Sequence, residues 1–163
     1  MIFQPVLYII GYLLSALSII LCIPASVDAF YGDNQWQSFT FASLISLFFG
    51  IILILANKSD NFSISLKQAF LITTLSWVFI AFFGALPFIF SDLELSFTDA
   101  FFESMSGITT TGSTILSNLD NSPHGILIWR SLLQWFGGIG IVVIAIAFLP
   151  ILKVGGMQLF HTE

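Results

Sequence analysis

Four apolar runs, each long enough to cross a bilayer, take up most of this 163-residue chain. The first covers roughly Phe3–Ile23 and meets Pro24. The second, SFTFASLISLFFGIILILA, covers Ser38–Ala56. The third, LKQAFLITTLSWVFIAFFGALPFIF, covers Leu66–Phe90, with Pro87 near its far end. The fourth, GILIWRSLLQWFGGIGIVVIAIAFLPIL, covers Gly125–Leu152. At ~1.5 Å rise per residue, about 20 helical residues cross a ~30 Å hydrocarbon core. No water is available there to satisfy backbone polar groups, so each run must close its hydrogen bonds within itself. The expected fold is an all-α polytopic membrane protein. It divides into an N-terminal transmembrane helix pair over residues 1–60 and a second unit over residues 61–163.

Composition agrees with this reading. Charged residues are 8% of the chain, where a soluble domain carries about 25%, and mean hydropathy is +1.00. The N-terminal run lacks a basic leader and is longer than a signal-peptide core, which makes it a retained span. Four basic residues cannot form the cationic footprint that nucleic acid requires. The net charge of −5 arises from scarce charges and says little about partners. Cys22 lies alone in an apolar run and reads as inert packing. His124 and His161 have no companion ligands for a metal. No phosphate-cradling loop is present, so the chain itself is not expected to bind nucleotide or any cofactor. No nucleophile or acid–base set points to an enzyme.

Basic residues orient the spans. Lys58 and Lys67 flank the 57–66 connection and Lys153 follows the fourth run, whereas the 24–37 connection holds Asp28 and Asp33 but no cation. The positive-inside rule then places the N-terminus, the 57–66 loop and the C-terminal tail in the cytoplasm, with Arg130 on the outer side. Trp36, Trp77, Trp129 and Trp135 read mostly as interfacial anchors.

The segment between the third and fourth runs is therefore outside, and it is no ordinary loop. In SDLELSFTDAFFESMSG, Ser96 is a natural N-cap, with Asp99 three residues on near the positive helix end. Phe97, Ala100, Phe101, Ser104 and Met105 recur at helical spacing, and Gly107 offers a C′ stop. A helix of about 10–11 residues is too short to cross a membrane. It either lies on the surface or enters the membrane from outside and returns. The stretch leaving it, SGITTTGSTIL, is uncharged and rich in hydroxyls, where a soluble linker would carry charge or proline. Non-helical backbone at membrane depth must be buried in protein or line water. A threonine-rich stretch with one glycine suits the water-lining case, because carbonyls and hydroxyls can replace the hydration shell of a cation. A polar turn at the membrane surface is the competing reading.

FTDAFFESMSGITTTGSTIL, WRSLLQWFGGIGIVVIAIAFLP and the terminal GGMQLFHTE resemble the Trk/Ktr/HKT potassium-transporter superfamily, TrkH branch. The likeness is close over residues 66–163, and the two preceding runs fit the extra helix pair of that branch. The resemblance implies a helix–pore loop–helix repeat, four of which surround one potassium pore in the cytoplasmic (inner) membrane of a bacterium. Carried over, it makes Thr110, Thr111, Gly112 and Ser113 the ion-binding filter segment for potassium. It also implies a dimer of complete pores and a cytosolic nucleotide-binding regulatory subunit. Two departures stand out. Residues 66–152 hold one repeat, and one repeat cannot enclose a pore. The remaining repeats must come from a longer or split product or from other copies of the chain; a non-conducting membrane scaffold is the alternative. His161 replaces the family's usual arginine and removes a permanent positive charge.

The supporting residues each carry more than one reading. Asp99 caps the short helix or draws cations to an outer vestibule. Glu103 draws cations in the same way or, near the unfavourable negative helix end, makes a structural hydrogen bond behind the filter, which suits it better. Arg130 either tunes the field at a pore mouth, snorkels to the interface, or pairs with Glu103 or Asp120. In GGIG, Gly137, Gly138 and Gly140 serve close helix packing or mark a bend.

Overall fold

The computed structural model describes residues 3–58, 64–117, 119 and 122–152. Over these the chain forms six helices: α1 Gln4–Tyr31, α2 Trp36–Ala56, α3 Leu66–Gly84, α4 Leu86–Phe90, α5 Phe97–Ile108 and α6 His124–Leu152. Four stretches are long and apolar enough to cross a membrane: Gln4–Tyr31, Trp36–Ala56, Leu66–Phe90 and His124–Ile144. They correspond to the four apolar runs.

The first span ends later than expected. It continues through Pro24 to Tyr31, and Pro24 is buried inside it. A proline removes one hydrogen bond, whereas ending a helix leaves four carbonyls without partners, which is the greater cost in an apolar setting. The stop comes at Gly32, in the left-handed region at φ 80°, whose N–H donates to the Asp28 carbonyl as in a glycine C-cap. The third run divides at Ala85 into α3 and α4. Pro87 sits in the first turn of α4, where its missing N–H removes no intrahelical bond.

One face of α1 carries the core. Val6, Ile10, Leu14, Leu17 and Leu21 are all fully or nearly fully buried and repeat every three or four residues, forming a single stripe. α1 packs most extensively on α2 and also lies against α3 and α6. The α1–α2 contact is a backbone approach between small residues. A Cβ on Gly11 would lie 2.8 Å from the Gly50 carbonyl oxygen, and one on Gly50 would lie 2.5 Å from Ser15 Oγ. Such small-residue seams are how helices associate where no hydrophobic drive separates them from lipid. At the far end of α2, Gln35 Nε2 donates to Asp92 Oδ2 (2.7 Å) and Ser38 Oγ to the Phe90 carbonyl (2.8 Å). These bonds fasten the turn that leads into α5.

Candidate ion-filter site

α5 begins where the sequence pattern placed it. Ser96 Oγ accepts from the Asp99 N–H (3.2 Å) and donates to Asp99 Oδ2 (2.7 Å). Asp99 therefore lies in the first turn as part of a cap. The end differs from expectation. Gly107 is not the stop, because the helix runs on to Ile108 with Thr109 at its C-cap. Gly107 is needed for packing instead: a Cβ there would lie 2.9 Å from Leu133 Cβ on α6. The left-handed residue that ends the helix is Thr110, at φ 59°, an uncommon state for a β-branched side chain.

The loop leaving α5 folds back over its last turn. Thr111 N–H and Gly112 N–H both donate to the Ser106 carbonyl (3.0 and 3.2 Å), and Ser106 Oγ donates to the Ser113 carbonyl (2.6 Å). Gly112 repeats the left-handed state at φ 76°. Residues Thr109–Ile115 are exposed, whereas Glu103, Ser104, Ser106, Gly107 and Ile108 behind them are buried. The four predicted filter residues thus share one exposed turn held by its own helix. The Ser113 carbonyl is already engaged with Ser106, which leaves its hydroxyl as the freer oxygen.

Glu103 is the brace behind that turn. It is 2% exposed. One carboxylate oxygen accepts from Thr114 Oγ1 and from the Ile115 N–H, both at 3.1 Å. The other accepts from Arg130 Nε at 2.5 Å. Arg130 thus pairs with Glu103; Asp120, the other expected partner, lies outside the described residues. This one acid ties α5, the returning loop and α6 together, with a charge-assisted bond at its centre.

α6 is seated against α5 at further points. A Cβ on Gly137 would collide with the Ile108 carbonyl oxygen. Gly140 makes only ordinary contact with Trp77 (3.8 Å), and a Cβ on Gly138 would meet nothing within 4 Å. Of the glycine cluster, Gly137 alone has its space taken by backbone, and Gly138 has no packing partner among the described residues. Trp129 is fully buried and donates Nε1–H to the Gly84 carbonyl (2.9 Å). It is a core residue and not an interfacial anchor; Trp135, 61% exposed, is open to an anchoring role.

Two acids without an assigned role also meet α6. Asp28, fully buried in the last turn of α1, accepts from the Gly125 N–H at 2.5 Å. Asp33 Oδ2 accepts from the His124 N–H (3.2 Å) and pairs with His124 Nδ1 (2.8 Å), while Tyr31 stacks on the His124 ring. The His124 ring bond, reinforced by its backbone N–H, holds the Asp33 carboxyl below the ordinary carboxylate range. The sequence signal for Asp28 was a carboxylate next to an apolar run with no partner nearby. Lys153 and the terminal GGMQLFHTE with His161 lie outside the described residues.

Residues 35–163 match the family model TrkH, described as "Cation transport protein". The chain belongs to the TrkH family. It is 46% identical over 162 residues to the Trk system potassium uptake protein TrkH of Escherichia coli K12, covering 99% of this chain and 34% of that protein. A Halomonas elongata protein of the same name is 42% identical, over 97% of this chain and 33% of its own length. The crystal structure of the potassium transporter TrkH from Vibrio parahaemolyticus superposes with a TM-score of 0.90 at 40% identity, over 96% of this chain and 34% of that one. The chain spans about a third of the length of the relatives it matches. It shares their fold as a multi-pass membrane protein.

Proposed function

We propose that this chain supplies one wall of a potassium uptake pathway, with Thr110, Thr111, Gly112 and Ser113 as one of four filter segments. The observation that carries this reading is the exposed hydroxyl-rich turn, whose left-handed residues Thr110 and Gly112 are braced from behind by buried Glu103. Left-handed residues set two apart turn successive carbonyls in ways a regular strand does not allow, and a ring of such oxygens can substitute for a cation's hydration shell. Carbonyls of Thr110, Thr111 and Gly112 and the hydroxyl of Ser113 are the proposed ligands. Asp99 and Glu103 support α5, and Arg130 with Gly137 seats α6 against it. The relatives named as potassium uptake proteins favour potassium as the cargo.

In this reading the protein lies in the bacterial inner membrane with its N-terminus in the cytoplasm, and the α5 turn enters from outside. The remaining repeats, from the rest of a longer protein or from other copies, close the pore. A dimer of pores and a cytosolic nucleotide-binding subunit complete the assembly. The test is potassium-limited growth of an uptake-deficient bacterium expressing the chain with the missing repeats. Rescue that is lost on replacing Gly112 supports transport. Absence of rescue, with the protein present in the membrane, refutes it and leaves the scaffold reading.

A further inference from the structure

Three buried or partly buried contacts fix α6 against the pore helix: Arg130 on Glu103, Leu133 on Gly107 and Gly137 on the Ile108 carbonyl. All three lie on one helix, so they share one register along its axis. A slip of α6 by one residue moves each by ~1.5 Å, enough to break the Glu103 bond and drive Gly137 off its seat. The start of α6 is held at two points: near the surface by Asp33, which accepts from the His124 N–H and pairs with its ring, and in the interior one residue further on, at Gly125.

Asp28 makes the interior contact. It sits at 0% exposure, its Oδ1 accepts from Gly125 at the start of α6, and it reaches there from the last turn of α1. Its other oxygen, Oδ2, has no hydrogen-bond partner among the described residues. A buried carboxylate oxygen left bare is costly, so stability alone is a poor reason for this residue. The positive end of the 29-residue α6 faces the carboxyl, against the negative end of α1 on which it sits. Gly125 is matched to it: a Cβ on Gly125 would collide with both carboxylate oxygens and the carbon between them. Asp28, Gly125 and Arg130 thus form one line, from α1 through the first turns of α6 to Glu103 and the loop it braces.

We infer that Asp28 is a positioning residue for the ion pathway, fixing the starting register of α6 and, through Arg130 and Glu103, the shape of the Thr110–Ser113 turn. This rests on the reading of that turn as a filter segment.

The test uses the chain with its remaining pore repeats in an uptake-deficient bacterium, measuring Rb⁺ uptake, inhibition by Na⁺ and the amount of protein in the membrane. Asp28→Ala should raise KM about tenfold, the scale of one lost bond to a charged acceptor, and weaken discrimination against Na⁺. Asp28→Asn keeps an acceptor for Gly125 and should restore most of both. Gly125→Ala should resemble Asp28→Ala in an otherwise native chain and add little in the Asp28→Ala background, where the collision is gone. A purely structural Asp28 would lower protein amount and maximal rate while KM and discrimination stay native, and that result overturns the inference. So does Asp28→Asn behaving like Asp28→Ala. If Asp28→Ala does not accumulate, Gly125→Ala and Asp28→Asn decide: native KM in Gly125→Ala is a refutation. Gly112→Ala, run alongside, separates the two ideas. Native discrimination in that variant sinks the filter reading and this inference together, whereas lost discrimination there with native KM in the Asp28 and Gly125 variants sinks this inference alone.

Discussion

Replacing Glu103 with alanine should be among the most damaging single changes in the chain. The carboxylate is 2% exposed and accepts three hydrogen bonds, from Arg130 Nε, Thr114 Oγ1 and the Ile115 N–H. Its partner side chain is itself only 14% exposed, so the guanidinium left behind cannot rehydrate freely. Breaking a buried pair in this way costs about 3–5 kcal/mol. Each orphaned neutral donor adds about 1–3 kcal/mol when it stays buried. Thr114 and Ile115 sit on the exposed turn, however, and can turn to water, so the total should stay near the top of the range for the pair alone, about 5 kcal/mol.

The asymmetry of the pair supplies the sharper test. Removing both charges leaves no uncompensated cation, so Glu103→Ala combined with Arg130→Met should be less destabilised than Glu103→Ala alone, by roughly 2 kcal/mol. Thermal unfolding of the detergent-purified protein reads the stabilities, and, under the proposed filter role, Rb⁺ uptake by the chain with its remaining repeats reads the turn. Glu103→Ala within about 1 kcal/mol of native stability, with native KM, would mean that the pair behaves as a surface contact and braces nothing. A strictly additive double variant would show that Arg130 does not depend on Glu103.

Gly112→Ala places a side chain at φ 76° with its nearest neighbour, Gln134 Nε2, at 3.9 Å. The cost is therefore conformational, about 1–2 kcal/mol; under the proposed filter role, K⁺ over Na⁺ discrimination in uptake by the chain with its remaining repeats should fall far more than stability does. Gly137→Ala drives a methyl into the Ile108 carbonyl and should cost about 3 kcal/mol or more, the upper range for overpacking. Gly138→Ala meets open space and should gain about 0.5–1 kcal/mol from helix propensity; paired melting curves compare the two. Asp33→Asn tests the His124 contact by pH. The Asp33 carboxyl is held below its ordinary value of 3.8, so its contribution is fully present above that value and is lost as pH falls through the lower folded one. The melting gap between native and Asp33→Asn protein should close on acidification below about pH 4; a gap that widens there would refute the assignment.

The residues alone disclose the features that depend on near neighbours. Run length and apolarity place the spans, because hydrocarbon imposes the same demand on every residue in turn. Ser96 and Asp99 sit three apart, so the start of α5 is a local matter. The continuation of α1 through Pro24 was hidden because it depends on the surroundings of the helix rather than on proline. Gly107 resembles a stop locally for the same reason: its true constraint is Leu133, on another helix. Asp28 and Gly125 are 97 residues apart, and no spacing rule links an aspartate at one helix end to a glycine at the start of another. The Glu103–Arg130 pair, 27 residues apart, depends on α6 lying along α5, which no spacing rule discloses.

The exposed turn constrains the surroundings this chain requires. Residues Thr109–Ile115 form a continuous run of exposed residues. Only some of their polar atoms are engaged, by Ser106, Gly107, Met105, Glu103, Leu116 and each other. Hydrocarbon cannot cover the rest, since each unsatisfied group there costs several kcal/mol. The flanking span α6 nevertheless presents Trp135, Ile139, Val142 and Val143 outward, and those side chains favour lipid or protein over water. A surface apolar along its length yet interrupted by an uncovered polar turn is satisfied when further protein packs on the apolar part and leaves an aqueous path along the turn. The proposed filter role requires an environment of that kind.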